Sequence, residues 1–133
     1  MSVDARVWLQ YARENLPVAE WCLQAGHLNP SLQNAQQTVE KALKAILAHQ
    51  QLLVKRTHSI EDLNQGLLET GINVGLSGDD CELLDSIYVA SKYPTPSVIP
   101  HGPPDPAVCR RCVQLARQVL EAAEHIVGAP PGR

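Results

Sequence analysis

The sequence predicts an all-α fold, an antiparallel up-and-down bundle of four to five helices. Apolar residues recur at helical spacing in five segments, turn residues separate these segments, and there is almost no strand-like alternation. We expect one domain over residues 1–128, followed by a disordered tail at 129–133. With no Phe and only two Trp, the core has to be built from Leu, Val, Ile and Ala.

The first two helices are predicted from caps and helix breakers. The first helix is expected over residues 4–25, with a kink or a break at Pro17, because a proline ring clashes inside a helix. The second helix is expected to begin with Asn29 as its cap and Pro30 at its first helical position. It should run to about Leu53.

Three further helices follow. Ser59 stands three residues before Asp62, a pattern similar to a capping box, and predicts a short third helix that ends near Gly71. Asp105 is expected to cap the last helix. The remaining predictions are a fourth helix over residues 79–92, a proline-rich surface loop over 94–104 and the last helix over 106–127.

Charge is balanced overall but uneven along the chain. A net charge of -3 argues against a nucleic-acid binder that is held by bulk electrostatics. Residues 41–58 contain four Lys or Arg and no acid, whereas residues 61–85 contain seven acids and no Lys or Arg. This separation favours either an oppositely charged partner or self-association.

The chain is predicted to be cytoplasmic and not to enter a membrane. Its first ten residues lack the apolar segment of a signal peptide, and no apolar run approaches the length of a membrane span. We therefore expect the cysteines to stay reduced. Cys109 and Cys112 form a CxxC pair, which suits a redox pair, half of a zinc site or two core positions. The core interpretation is favoured because no second ligand pair is found, and neither a metal site nor a cofactor is predicted.

The second helix carries a polar stripe beside its apolar one. Gln37, Lys41 and Lys44 recur at helical spacing, and two interpretations remain open. The stripe is either a solvated face on which Glu40 pairs with Lys44, or the wall of a site in which lysines bind phosphate. We expect that replacing both lysines by Gln weakens ligand binding and leaves the melting temperature almost unchanged.

Three motifs resemble the HEPN family, the higher-eukaryote and prokaryote nucleotide-binding domain. They are AQQTVEKALKAIL in the second helix, THSIEDL at the start of the third and SKYPTP at the end of the fourth. The sequence departs from the family pattern at Lys92, where Arg is usual, and at Ile60, where Leu is common. Both departures keep the physical type of the residue, and the match covers nearly the whole chain.

The resemblance implies a helical bundle that forms a homodimer and works with a minimal nucleotidyltransferase in a toxin–antitoxin-like pair. It also implies a nucleotide or RNA as ligand. Ribonuclease members carry an Arg, four to six residues and a His, and no Arg of this chain meets that rule. Arg117 and His125, for example, are separated by seven residues. The alternative is a divergent RNA endonuclease that uses His58, Lys92 and Tyr93.

Six residues are predicted to bind a ligand: Lys41, Lys44, Arg56, His58, Lys92 and Tyr93. No catalytic residue is identified. His58 suits phosphate binding or proton transfer, but a hydrogen bond that fixes the helix end is the commoner role. Tyr88 and Tyr93 suit stacking on a base, although packing beneath a loop is more frequent.

Overall fold

Apolar periodicity in the sequence becomes five α-helices in the computed structural model, which describes residues 4–54, 56–92 and 104–128. The helices are α1 (Ala5–Gln24), α2 (Leu28–His49), α3 (Ile60–Leu68), α4 (Gly78–Lys92) and α5 (Pro106–Val127). These ranges contain no strand, and the predicted all-α bundle is confirmed. No helix within them is both long and apolar enough to span a membrane. The predicted tail and most of the proline-rich loop lie outside the described residues.

The second helix is the centre of the bundle. α2 contacts each of the other four helices; α1 and α5 pack on it and on each other, and so do α3 and α4. Thirteen of its 22 residues are buried. An ordinary surface helix keeps one polar face in water, whereas neighbours surround α2 on several sides. Part of its polar stripe therefore lies inside the protein.

The core is built from small and branched aliphatic side chains, as predicted. Both cysteines of the CxxC pair belong to it and are fully buried. Burial raises the pKa of Cys112 to about 12 and also raises the pKa of Cys109. Both groups therefore stay as thiols at neutral pH, which agrees with the core interpretation of this motif.

The junction between α1 and α2 differs from the sequence prediction. α1 continues without a break through Pro17 and ends in a Schellman motif, in which the His27 N–H donates to the Cys22 carbonyl across Gly26. α2 begins directly after this turn, with His27 at its N-cap, so the predicted Asn29 cap is wrong. Pro30 is in the first turn of α2, where no intrahelical N–H bond is lost.

The second helix also ends earlier than predicted, at His49. Gln51 adopts a φ of 58°, and its N–H donates to the Ala48 carbonyl over 3.1 Å. The Leu52 N–H donates to the Leu47 carbonyl over 3.0 Å, which completes a second Schellman motif. A glutamine thus occupies the left-handed position that glycine usually takes.

Side-chain caps begin the other helices. Ser59 accepts from the Asp62 N–H and Asp105 accepts from the Val108 N–H, so both predicted caps are confirmed. α3 ends three residues before the predicted Gly71. Asp80 of α4 is held in reciprocal hydrogen bonds with Ser77 and also pairs with Arg111 Nη2 of α5 at 3.0 Å.

Candidate ligand-binding site

A buried carboxylate on α2 is the centre of the candidate site. Glu40 has no exposed side-chain surface, and one of its oxygens accepts from Lys44 Nζ at 3.0 Å and from Lys41 Nζ at 3.3 Å. Its other oxygen lies 3.2 Å from His58 Nδ1. The expected pair of Glu40 with Lys44 therefore forms, but it is buried instead of lying on a solvated face.

The charge of Glu40 follows from its partners. Burial raises the pKa of its carboxyl, but the hydrogen bond from Lys44, the charges of Lys41 and Lys44 and the His58 hydrogen bond outweigh burial. The pKa therefore lies below its ordinary value of 4.5. Because an ionised carboxylate only accepts hydrogen bonds, Nδ1 of His58 carries the proton in this contact.

A tryptophan from α1 covers the lysines. The ring centroid of Trp8 is 5.4 Å from Lys41 Nζ and 5.2 Å from Lys44 Nζ, within the range of a cation–π interaction. The side chain of Lys44 is 7% exposed and that of Lys41 is 22% exposed. Lys44 is thus committed to Glu40 and Trp8, whereas Lys41 also reaches solvent.

On the other side, His58 stacks on an aromatic ring of α4. The ring centroids of His58 and Tyr88 are 4.4 Å apart and the ring planes differ by 14°. Lys92 Nζ, one turn further along α4, is 5.6 Å from the Tyr88 centroid. The side chain of His58 is 53% exposed. A continuous chain of contacts, here termed the Glu40 cluster, consists of Trp8, Glu40, Lys41, Lys44, His58, Tyr88 and Lys92.

The position of His58 depends on a carboxylate of α4. Asp85 accepts the Ile60 N–H at 2.6 Å and the Glu61 N–H at 3.2 Å, so it satisfies two donors that begin α3. Burial raises the pKa of Asp85 even though these hydrogen bonds oppose the shift. The first turn of α3 is thereby fixed to α4, and the residues that precede it are held beside Tyr88.

A cleft between α2 and α4 adjoins the cluster. Its volume is about 140 Å³, and it shares Tyr88 and Lys92 with the cluster. The lining combines polar and apolar surface and consists of Gln33, Gln36, Gln37, Ile87, Tyr88, Ser91 and Lys92. Within the part of the chain that the structure describes, no three His, Cys, Asp or Glu side chains are grouped as ligands for a metal ion.

A family model of the HEPN domain matches residues 5–126. The chain belongs to the HEPN family. The fold agrees with the crystal structure of an archaeal HEPN homologue, at 23% identity and a TM-score of 0.63, over 96% of this chain and 100% of that one. It also agrees with a crystal structure of a protein from Thermus thermophilus, at 29% identity and a TM-score of 0.63, over 92% and 97% of the two chains. A comparison with curated proteins gave no match.

In this HEPN domain, the three motifs that carried the resemblance converge in space. The first supplies Glu40, Lys41 and Lys44, the second supplies His58 and the third supplies Lys92. Four of the six predicted ligand-binding residues are thus brought together, and their role in binding stays a prediction. The fold resemblance found in the sequence is confirmed.

The other two predicted residues are not part of the cluster. Arg56 is exposed, and no hydrogen bond, ion pair or ring contact among the described residues joins it to the cluster. Tyr93 lies outside the described residues. Among the described residues, the hydrogen-bond partner of His58 is Glu40, through Nδ1, and not a helix end, which the commoner role required.

Sequence reasoning missed the Trp8 contact and the central position of Glu40. In the sequence, Trp8 is only one of the apolar residues that recur at helical spacing in the first helix. The available signal was an acid between buried positions of a helix with two lysines one and four residues later. Such a pattern indicates an internal ion-pair network once the helix is known to be central.

Proposed function

We propose that this HEPN domain binds a nucleotide at the exposed side of the Glu40 cluster. The observation that carries the proposal is the chain of contacts that joins Lys41, through Glu40, to the stacked His58–Tyr88 pair and on to Lys92. Phosphate groups are bound by lysine as a point charge, and nucleobases stack on flat rings. The Glu40 cluster contains both kinds of group, and Lys41, His58 and Lys92 all reach solvent.

The charges of the cluster support an anionic ligand. Three ammonium groups, those of Lys41, Lys44 and Lys92, oppose a single carboxylate. That carboxylate is fully buried, and both of its oxygens already accept hydrogen bonds. The more exposed cations, Lys41 and Lys92, therefore face a ligand with little opposing charge at the surface.

We further propose a regulatory role with a minimal nucleotidyltransferase partner and a homodimeric assembly, in a toxin–antitoxin-like pair. Both partners are what the family resemblance implies. Exposed apolar side chains on α1, namely Val7, Tyr11 and Trp21, support a protein interface.

Sedimentation equilibrium tests the homodimer, and co-purification from the native host followed by mass spectrometry tests the nucleotidyltransferase. A monomer at micromolar concentration would contradict the first, and recovery without a nucleotidyltransferase would contradict the second.

Calorimetric titration with ADP tests the binding proposal. Lys41→Gln and Lys92→Gln should each weaken binding about tenfold, since one charge-assisted hydrogen bond is lost. Arg110→Gln is the matched control, because Arg110 is an exposed cation on α5 outside the Glu40 cluster. An unchanged affinity in both lysine variants, or an equal loss in the control, would refute the site.

A second candidate function, RNA cleavage, is favoured by the Glu40–His58 contact. With Nδ1–H donated to Glu40, the Nε2 atom of His58 is left as a proton acceptor, as in catalytic histidine pairs. His58 Nε2 would take the proton of a ribose 2′-hydroxyl, O2′ would bond to phosphorus, and the P–O5′ bond would break. The 5′-oxygen takes up a proton from water, and the hydroxide that remains takes the proton from His58, which leaves a 2′,3′-cyclic phosphate, a 5′-hydroxyl and neutral His58.

Incubation with single-stranded RNA separates the two candidates. A nuclease would give cyclic-phosphate products that disappear in His58→Ala and decrease strongly in Glu40→Gln. Nucleotide binding without RNA products supports the regulatory module and excludes the nuclease. Products that persist in His58→Ala would show a contaminating enzyme or another site.

A further inference from the structure

We propose that the cleft between α2 and α4 is the base subsite of the nucleotide site, with the phosphates outside it towards Lys41 and Lys92. This inference rests on the proposed function and adds the part of the ligand that the cleft accepts. The cleft and the Glu40 cluster share Tyr88 and Lys92, so one ligand reaches both.

The size of the cleft limits which part of a nucleotide it can hold. Pockets that enclose a whole drug-sized ligand measure roughly 300–1,000 Å³. At about 140 Å³, this cleft holds one planar ring system but not a complete nucleotide. A base inserted here leaves its sugar and phosphates outside the cleft, within reach of Lys92, an exposed residue of its lining.

The lining provides apolar surface for the faces of a base and polar groups for its edge. Ile87 is 8% exposed and Tyr88 contributes the neighbouring ring. Ser91 Oγ donates to the Tyr88 carbonyl at 2.7 Å, which leaves the Ser91 oxygen as an acceptor. Gln33 and Gln37 line the α2 side. Flat apolar contact combined with hydrogen bonds at an edge is how proteins hold an unstacked base.

The Glu40 carboxylate sets the orientation of these amides. Since it only accepts, Gln36 turns Nε2 towards it, at 3.4 Å. The Oε1 of Gln36 then accepts from Gln37 Nε2 at 2.7 Å. Gln37 is left with one N–H and its own Oε1, a donor beside an acceptor. Base edges carry the complementary pair, and Gln uses this arrangement to bind adenine.

Two ligands that differ only in the base test the subsite. AMP and ribose 5-phosphate share the sugar and the phosphate, so calorimetry of both isolates the contribution of adenine. We expect AMP to bind the unmodified protein about tenfold more tightly than ribose 5-phosphate. Gln37→Met should remove most of this difference and leave ribose 5-phosphate unaffected. Lys41→Gln should weaken both ligands by the same factor.

A control and a second variant complete the test. Gln114→Ala changes an exposed glutamine on α5 and should leave both affinities unchanged. Ser91→Leu places a larger side chain in the cleft without removing a Gln amide, so AMP should then bind no better than ribose 5-phosphate. If Gln37→Met does not fold, Ser91→Leu still tests whether the cleft binds the base.

Three results would overturn the inference. Equal binding of AMP and ribose 5-phosphate to the unmodified protein would refute the base subsite and leave the phosphate site intact. A preference for AMP that survives in both Gln37→Met and Ser91→Leu would place the base elsewhere. Absence of binding by either ligand would refute the nucleotide site itself, and the subsite with it.

Discussion

Lys41 and Lys44 contact the same oxygen of Glu40 and the same Trp8 ring, yet they differ in exposure. Lys44 is almost fully buried with Glu40, whereas Lys41 reaches solvent. Removing one member of a buried pair leaves the other charge without compensation, whereas exposed pairs contribute little. The expectation from sequence, that both substitutions are silent for stability, therefore applies to Lys41 alone.

The first prediction compares these two residues. Lys44→Gln should lower the free energy of unfolding by about 1–3 kcal/mol, because Glu40 loses a charged hydrogen-bond donor. Lys41→Gln should lower it by less than about 1 kcal/mol. Urea denaturation of both variants measures the difference. Equal losses would show that Lys44 is not the structural partner of Glu40.

The second prediction concerns acid stability. The pKa of Glu40 is lower in the folded state, so below 4.5 the unfolded state takes up a proton first. The stability that Glu40 contributes is thus present above this ordinary value and is lost as pH falls through the lower folded pKa. Glu40→Gln should show a shallower loss of stability below pH 4.5, measured by denaturation at a series of pH values. An unchanged slope would assign the acid sensitivity to other carboxyls.

At the scale of the helix, α3 depends on a carboxylate that it does not contain. A nine-residue helix is too short to be stable alone, and Asp85 of α4 satisfies two of its first N–H groups. Asp85→Ala should therefore cost about 1–2 kcal/mol, similar to the loss of a strong N-cap. Asp79→Ala, which removes an exposed acid from the first turn of α4, is the control. Thermal unfolding measures both, and equal shifts would contradict the cross-helix cap.

A substitution at the end of α2 is expected to raise the stability of the protein instead of lowering it. A left-handed conformation costs an L-residue roughly 1–2 kcal/mol, and glycine avoids it at an entropic cost of about 0.5–1 kcal/mol. Gln51→Gly should therefore stabilise the protein by about 0.5 kcal/mol, because Gln51 has a φ of 58°. Gln50→Gly, at a φ of -80°, should destabilise it. Chemical denaturation that gives both changes the same sign would contradict this account.

Local chemistry explains which boundaries could be predicted. Ser59 and Asp105 cap N–H groups three residues away, so their signal lies within the sequence. Asn29 fails as a cap because the preceding Schellman turn decides where α2 begins. That turn is made by backbone hydrogen bonds to the Cys22 and Leu23 carbonyls around Gly26, so the local signal for the start of α2 lies at Gly26 and not at Asn29.

For the whole molecule, the sequence could predict the bundle and part of the site but not the centre of the site. Periodicity shows which residues are apolar, and the motifs located Lys41, His58 and Lys92. Burial of Glu40 depends on four helices that surround α2, and the Trp8 contact depends on how α1 crosses it. Both are properties of packing between segments that are distant in the chain.

The central position of α2 has a consequence for the way the protein opens. Amide hydrogens of α2 should exchange with solvent only when the whole protein unfolds, because every other helix packs on it. α3 and α4 pack mainly on α2 and on each other, so they form a unit that can open while α1, α2 and α5 remain associated.

A ligand that bridges Lys41 of α2 and Lys92 of α4 joins the unit of α3 and α4 to the central helix α2. Hydrogen–deuterium exchange followed by mass spectrometry should therefore show that AMP slows exchange in α3 and α4 while exchange in α1 and α5 changes little. Protection spread evenly over all five helices would mean that α3 and α4 do not open separately. If protection is confined to α3 and α4, occupancy of the site changes the opening of these two helices, and a partner protein that binds them would sense the ligand.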